Sequence, residues 1–535
     1  MNSTATASRS GARHARRGLA VVLAATMTLS AAAIAGGSAS AASKRGSGAV
    51  DKSGVLRMPY DLTALGGIKF DPTTVGSPDN WYFQAFMYDS LLRQNADGSY
   101  SPGLAKSATI VDGQTIEVEL QPNLTFTDGT PLDAEAVKFS IERNMASDNV
   151  ASFRVELQEV ESITVDSPTT LTIALKTPTA GQFYNLLAHG ETFVVSPTAV
   201  QSGASLDDEP VGAGPFTLES FTPEREVVFV KNPDYFQAKK IKLAGVTLVQ
   251  VTTTDAQATV NALLDQVVDA SALTSLDQVS PLEGAGLEVV SQASDSSQVY
   301  GSLCKSKPPF DVVEVRQALN FATDRDELNE LIYQGTSEPV WASWTQGSEL
   351  FNPKLKNIYA HNVKKAKKLL KGAGAEDLTF DFYTGPLPEQ QRVAEVLKEQ
   401  WAAAGITANL VNLADVVEEF FVEVKAPAGL VPFGRSGLDK VTRSLLAGSV
   451  GNLCNYEDPE LNALVDEVRQ LEGTDGLQKA WWELDEYVFE NALSLFLLWT
   501  PRINAYDPDR VANVVFRPDV FGAPRFDVFK AFIKK

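Results

Sequence analysis

Ser302 and Lys305 stand three apart, the S-x-x-K spacing in which a lysine amine can take the proton of a serine hydroxyl across one helical turn. The run that holds them reads instead as a strand leading toward Pro308-Pro309, and the chain offers no convincing S-D-N or K-T-G partner. There is no G-x-S-x-G elbow, C-x-x-C pair, H-E-x-x-H helix or G-x-x-x-x-G-K-S/T loop. Gly212-Ala213-Gly214 lacks the third glycine of a dinucleotide-binding turn and runs straight into Pro215, so it reads as a structural turn. Beyond the N-terminal segment, His189 and His361 are the histidines, and two unclustered histidines are a poor metal-ligand set. Cys304 and Cys454 could pair in an oxidising compartment if the fold brings them together. No catalytic set, no metal and no cofactor is expected from these residues.

The elements that must position any site fill a long chain. It has 535 residues, 44% hydrophobic and 21% charged, enough for a large core and too long for one simple domain. Arg9, Arg13, Arg16 and Arg17 precede the apolar run GLAVVLAATMTLSAAAIA and the A-x-A-like Ala39-Ser40-Ala41, the order of a secretory signal peptide. We expect a leader over 1–42, with Arg16-Arg17 also compatible with twin-arginine export, then a flexible linker over 43–53. The net charge is -21, and loss of a leader with four arginines and no acid leaves the rest more negative. So acidic a chain is a poor candidate for nucleic acid or anionic lipid.

After the linker, short strands alternate with amphipathic helices, which predicts an α/β or α+β fold. TIEVEL (115–120), SITVDS (162–167) and TLTIALK (170–176) alternate as strands, punctuated by Asp112-Gly113, Asp128-Gly129 and Ser167-Pro168. Asp133 is placed to cap a helix with Ala134, Val137 and Ile141 inward. Asp311 is placed to cap another, with Val315, Ala318, Leu319 and Ala322 on one face. Asn362 opens a third, which carries Ala366, Leu369 and Leu370 and stops at Gly372. A fourth, with Val393, Val396, Leu397 and Trp401, ends at Gly405 and leads into the alternating strand Ile406, Ala408, Leu410.

In this order the segments resemble a known family. Phe70-Asp71-Pro72, YDSLLRQNADGSYSPGLAKSATI (88–110) and DGQTIEVELQPNLTFTDGTPLDAEAVKFSIER (112–143) come first. VGAGPFTLESFTPEREVVFVKNPDYF (211–236), VRQALNFATDRDELNELIYQG (315–335), VKKAKKLLKGAG (363–374), AEVLKEQWAAAGI (394–406) and YEDPELNALVDEV (456–468) follow. Together they are similar to the peptide/nickel class of extracellular solute-binding proteins of ABC importers, from about residue 54 nearly to the end. Asp458 stands where that class usually has Asn.

The resemblance implies a two-lobed, periplasmic-binding-protein-like α/β fold with a hinge. The first lobe would take residues 54–86, 206–297 and 501–535, with a subdomain of 87–205 inserted, and the second lobe 298–500. The hinge crossings would be 296–303 and 494–506. It also implies a short-peptide ligand buried between the lobes, membrane permease subunits with cytoplasmic ATPases as partners, an exported monomer, and no catalysis. An oligosaccharide, an anionic metabolite or a metal chelate is the alternative ligand. The class's W-x-x-D-Y segment falls on PFGRSGLDKVTR (432–443), with Phe433 at the Trp position and Ser436 at the Asp position; Asp439 lies three residues on. Arg435 suits an anionic ligand group, gripped by two parallel hydrogen bonds. Trp81 falls at a cleft position of the class or in the core, Trp341 and Trp344 on the opposite wall or in packing, and His189 near the ligand or at the surface. The family's lipid-anchoring cysteine has no counterpart here.

Overall fold

The computed structural model describes residues 48–62, 68–74, 79–95, 100–147, 155–253, 255–292, 298–385, 388–413, 416–433, 437–449, 451–471, 476–517 and 525–535. The expected leader lies outside them. Three sheets organise most of the chain. One is four-stranded, with Val55–Tyr60 parallel to Gly245–Gln250, followed by Glu226–Lys231 and Phe216–Thr222 in antiparallel order. A second antiparallel four-stranded sheet runs Ala105–Asp112, Thr115–Leu120, Thr170–Leu175, Val160–Ser167. It holds the three strands read from alternation, and Ile116, Val118, Leu120, Leu171, Ile173 and Leu175 form its inner face. The third sheet is mixed and six-stranded: Glu338–Pro339, Leu495–Trp499, Gln298–Leu303, Ala428–Phe433, Thr379–Tyr383, Thr407–Val411. Leu495–Trp499 and Gln298–Leu303 are buried at every position, as strands covered on both faces must be.

Two chain segments run on from this third sheet into a smaller one. Glu288–Gln292 pairs antiparallel with Arg502–Tyr506, which also pairs with Ala270–Leu273. Gln292 faces Arg502, and a few residues later Gln298 faces Trp499 in the six-stranded sheet. Neighbouring stretches of chain are thus paired with each other in both sheets.

The apolar cores follow the sheets. One core lies wholly between Val299 and Trp499. Another joins residues 56–88 to 193–248 and to Tyr506, Val511, Val528 and Ile533. A third lies between Leu91 and Ala213. A fourth gathers residues 251–282 around Ile503 and Ala505.

Helix ends show which local signals act. Asp133 accepts a hydrogen bond from the Ala136 N–H at 3.0 Å and caps Ala134–Met145. Asn362 accepts from Lys365 N–H at 2.9 Å and caps Val363–Gly372. That helix ends at Gly372 as expected, but the left-handed residue that closes it is Gly374. Ala373 stays right-handed, Gly374 takes φ +68°, and the Ala375 and Gly374 N–H groups close back on the carbonyls of Leu370 and Lys371. Gly405, at φ +87°, ends Pro388–Ala402 in the same way, with Ile406 bonded to Trp401 and Gly405 to Ala402. Asp311 does not cap. The helix starts at Val313 with Val312 at the cap position, and the Phe310 and Asp311 carbonyls are taken by the Arg316 guanidinium at 2.8 and 3.3 Å. The inward face of that helix is as read: Val315, Ala318, Leu319 and Ala322 are buried.

The segments that carry the family resemblance lock to one another. Asp89 and Arg93 form an ion pair at 2.5 Å, and Tyr235, from the NPDYF segment, bonds to both. Arg325 is 3% exposed and donates to the carbonyls of Phe496, Asn320 and Tyr359. Arg316 likewise holds the Asn491 carbonyl. Asp458 accepts from the Leu461 N–H, within the first turn of Pro459–Leu471, and from the Tyr487 hydroxyl. A buried guanidinium with several carbonyl acceptors costs little and fixes distant strands relative to a helix.

Candidate ligand-binding site

Two groups of the expected site residues are placed by different cores. Trp344 is half-buried and meets Trp481 edge-on, 5.4 Å between centroids at 84°. Gly437, at φ +59°, opens the helix Gly437–Leu445, and a Cβ there would stand 3.0 Å from the Trp344 ring. That glycine lets the chain come down directly on the indole. Upstream, Phe433 ends its strand opposite Gln298. The segment from Phe433 to Asp439 is thus anchored by strand pairing at one end and by Trp344 at the other. Arg435 and Ser436 lie outside the described residues, as do the side chains of Phe433 and Asp439.

Around this anchor stand groups that the sequence reading missed. The Lys440 ammonium lies over the Trp499 ring, 4.6 Å from its centroid. Asp485 is fully buried and accepts from the Ser343 N–H at 3.2 Å, in the loop between Trp341 and Trp344. Burial pushes its carboxyl up to about 6, against the opposing pull of Ser343 and Lys440. A signal for Asp485 was present: it sits on the stripe of Trp481, Leu484, Val488 and Phe489, where an acid breaks an apolar face. Trp341 is 8% exposed, with the Arg325 guanidinium 5.3 Å from its ring, in the surroundings of a core residue.

The other group joins Trp81 and His189. Trp81 is 1% exposed, within the core that contains Phe70, Phe83 and Phe193. Gly190, next to His189, presses on it: a Cβ there would lie 2.2 Å from Trp81 Cγ. Of its two readings, Trp81 has the surroundings of a core residue. His189 is half-buried, and its carbonyl accepts from Thr192 in the turn that follows. Glu191, fully buried, gives its carbonyl to the Asn144 amide at 2.9 Å. His361 is elsewhere, paired with Asp324 at 2.9 Å.

The S-x-x-K pair is built into structure. The Ser302 hydroxyl donates to the Gly451 carbonyl at 3.2 Å. Cys304 is bonded to Cys454, with Cα atoms 5.2 Å apart. Lys305 is 3% exposed, with its ammonium 5.6 Å from the Tyr456 ring centroid. Burial, with a smaller contribution from Arg316, brings the Lys305 amine down to about 7.

Residues 99–423, more than half of the chain, match the family model of the bacterial extracellular solute-binding proteins, family 5. The chain belongs to that family. Among curated members, the glutathione-binding protein GsiB of Salmonella paratyphi A is 30% identical over 330 residues, 60% of this chain and 63% of that protein. The match thus spans less than two thirds of the length of that relative. Among solved structures, a dipeptide-binding protein of Pseudoalteromonas sp. SM9913 in complex with Met-Leu matches with a TM-score of 0.78 at 20% identity. It covers 90% of this chain and 100% of that one. NikA of Staphylococcus aureus in complex with Ni(L-His)2 matches with a TM-score of 0.76 at 20% identity, over the same shares. The fold of this family 5 member is therefore the mixed α/β, two-lobed fold of these binding proteins. Among the described residues no helix is long and apolar enough to cross a membrane.

Proposed function

We propose that this family 5 protein is the exported receptor of an ABC importer, which captures a short peptide between two lobes and delivers it to membrane permease subunits. The lobes are residues 54–86, 206–297 and 501–535 on one side and 298–500 on the other, with 87–205 inserted in the first. The observation that carries the reading is that the neighbouring pairs Gln292–Arg502 and Gln298–Trp499 belong to two otherwise separate sheets. Two short neighbouring connections, opposite in chain direction, allow one body to rotate against the other at small cost, and a ligand that touches both bodies favours the closed arrangement. The protein makes and breaks no bond in this reading, in keeping with a Ser302 hydroxyl committed to a carbonyl. The relatives named for glutathione and for a dipeptide support a peptide ligand.

A thermal-shift and calorimetric screen tests it, with glutathione and di- to tetra-alanine in one arm, maltotriose in a second and nickel–histidine in a third. Ligand at a thousand times its dissociation constant adds about 4 kcal/mol of stability. Peptide-specific stabilisation is expected. Stabilisation confined to another arm keeps the receptor and discards the peptide. Hydrolysis of any probe, abolished by one side-chain change, discards the receptor.

A further inference from the structure

Beside the two neighbouring strand pairs lie two buried amide side chains with atoms that no described residue bonds. Asn504, in the middle of Arg502–Tyr506, is 0% exposed, and neither its Oδ1 nor its Nδ2 has a partner among the described residues. Gln298, the first residue of Gln298–Leu303, is 5% exposed, and its Oε1 is equally without a partner among them. An amide atom removed from water and left unbonded is costly, and a strand interior is served better by an apolar residue. Three such atoms on the two segments need a reason that packing among the described residues does not give.

Their placement supplies one. Asn504 lies between Ala272 and Val290 in the three-stranded sheet, and Gln298 between Phe433 and Trp499 in the six-stranded one. The step from one sheet to the other falls between them, so one amide stands on each side of the junction. Ala272 is exposed and carries a methyl group alone, so solvent reaches within one strand of Asn504. Gln298 is cross-strand neighbour to Trp499, whose ring the Lys440 ammonium covers, and to Phe433, which opens the segment anchored on Trp344.

We propose that Asn504 and Gln298 grip the backbone of the bound peptide from opposite sides of the junction. Asn504 offers a donor and an acceptor side by side, the complement of the N–H and C=O that one residue of an extended peptide presents to the same side. Gln298 Oε1 adds an acceptor for a second N–H. A carboxylate would satisfy the Asn504 donor but leave both oxygens facing negative charge, and a single hydroxyl could not serve all three atoms. The grip reads main chain rather than side chains, so it would hold peptides of varied sequence. It rests on the peptide-receptor reading above and adds to it two residues and the group they recognise.

The test compares the wild-type chain with Asn504→Leu and Gln298→Met, each close in size and free of the unpaired atoms. Unliganded melting temperatures and affinities for glutathione and trialanine are measured, with maltotriose as the control. Both variants are expected to melt no lower than wild type, because an unsatisfied buried group is removed, and to lose at least tenfold in peptide affinity. If Asn504→Leu does not fold, Asn504→Ala carries the same comparison with less bulk. Variants that melt lower than wild type yet keep full peptide affinity would show that the amides serve the fold, and overturn the proposal. A wild-type chain that responds to neither peptide overturns the peptide reading and the grip together; a wild-type response kept intact by both variants overturns the grip alone.

Discussion

Asp71 and Arg143, 72 residues apart, meet through two parallel hydrogen bonds, Nη1 to Oδ1 at 2.7 Å and Nη2 to Oδ2 at 2.5 Å. Asp71 belongs to the Phe70-Asp71-Pro72 marker, and Arg143 ends the 112–143 signature. What reads in sequence as two separate markers is one contact. It ties the loop after Phe70 to the helix Ala134–Met145, and Thr73 adds its backbone N–H and hydroxyl to Asp71 Oδ1.

Breaking this pair is expected to destabilise the protein. Asp71 is 5% exposed and the Arg143 side chain 22%, so Arg143→Met should cost about 2–3 kcal/mol by leaving a carboxylate poorly paired. Urea unfolding checks it. Burial raises the Asp71 carboxyl, but the hydrogen bonds from Arg143 and Thr73 and the guanidinium charge more than offset it and leave it below 3.8. The folded state thus releases this proton more readily than the unfolded one. The contribution is present above about pH 4 and is lost as pH falls through the folded value. A wild-type-to-Arg143→Met gap unchanged between pH 7 and pH 3 would contradict this account.

Asp485 runs the other way. Its carboxyl sits at about 6 in the folded protein against 3.8 unfolded, so the folded state holds the proton more tightly. The ionisation penalty is absent below about pH 4, grows between pH 4 and 6 and is complete above it, at up to about 3 kcal/mol. Asn at this position still accepts from the Ser343 N–H. Asp485→Asn should therefore match wild type near pH 4 and exceed it in stability at pH 7.5. Chemical denaturation at the two pH values decides; an advantage independent of pH would contradict the assignment.

Gly190 admits no side chain. Gly190→Ala would drive a methyl group onto the Trp81 indole, with three ring atoms within 2.6 Å. Trp81 is held in a packed core, so relief requires backbone movement at roughly 1–3 kcal/mol. Near-UV circular dichroism and the melting temperature should both change. An unaltered indole signal would show that Gly190 and Trp81 are not in contact.

The Cys304–Cys454 bond closes a loop across a sequence separation of 150. Its loss should cost on the order of 2–5 kcal/mol, most of it through a less restricted unfolded chain. Cys304→Ser with Cys454→Ser, melted with and without dithiothreitol beside wild type, measures it. The wild type should lose stability in reductant and the double variant should not respond.

How far the sequence reaches depends on the range of each interaction. Asp133, Asn362 and Gly405 are legible because caps and stops engage residues within a turn. Gly372 is legible as the last helical residue, while the left-handed turn itself falls two positions on, at Gly374. The partners of Arg316 and Arg325 are unreadable: Asn491 and Phe496 lie 175 and 171 residues away. Family likeness locates such arginines without saying that their task is structural. Of the candidate site, the sequence offered the segment 433–439, whose far end enters the helix that opens on Trp344 at Gly437. Lys440, Gln298 and Asn504 were not legible, because an amide or amine in a strand or helix looks ordinary until its neighbours are known.

The core between Val299 and Trp499 is drawn from one stretch of chain, whereas the core built on Val55–Tyr60 is completed by distant segments. Gly54 is covered by Ile533, and the Asp51 N–H bonds to the Ile533 carbonyl. A chain that emerges from its N-terminus must carry the first strand, with its neighbour Gly245–Gln250 still to come, and then wait for the last strand to seal the edge. Non-local closure is the slow step in such assemblies. The core that begins first along the chain is therefore the last to be completed, after the contiguous core between Val299 and Trp499 has all of its residues.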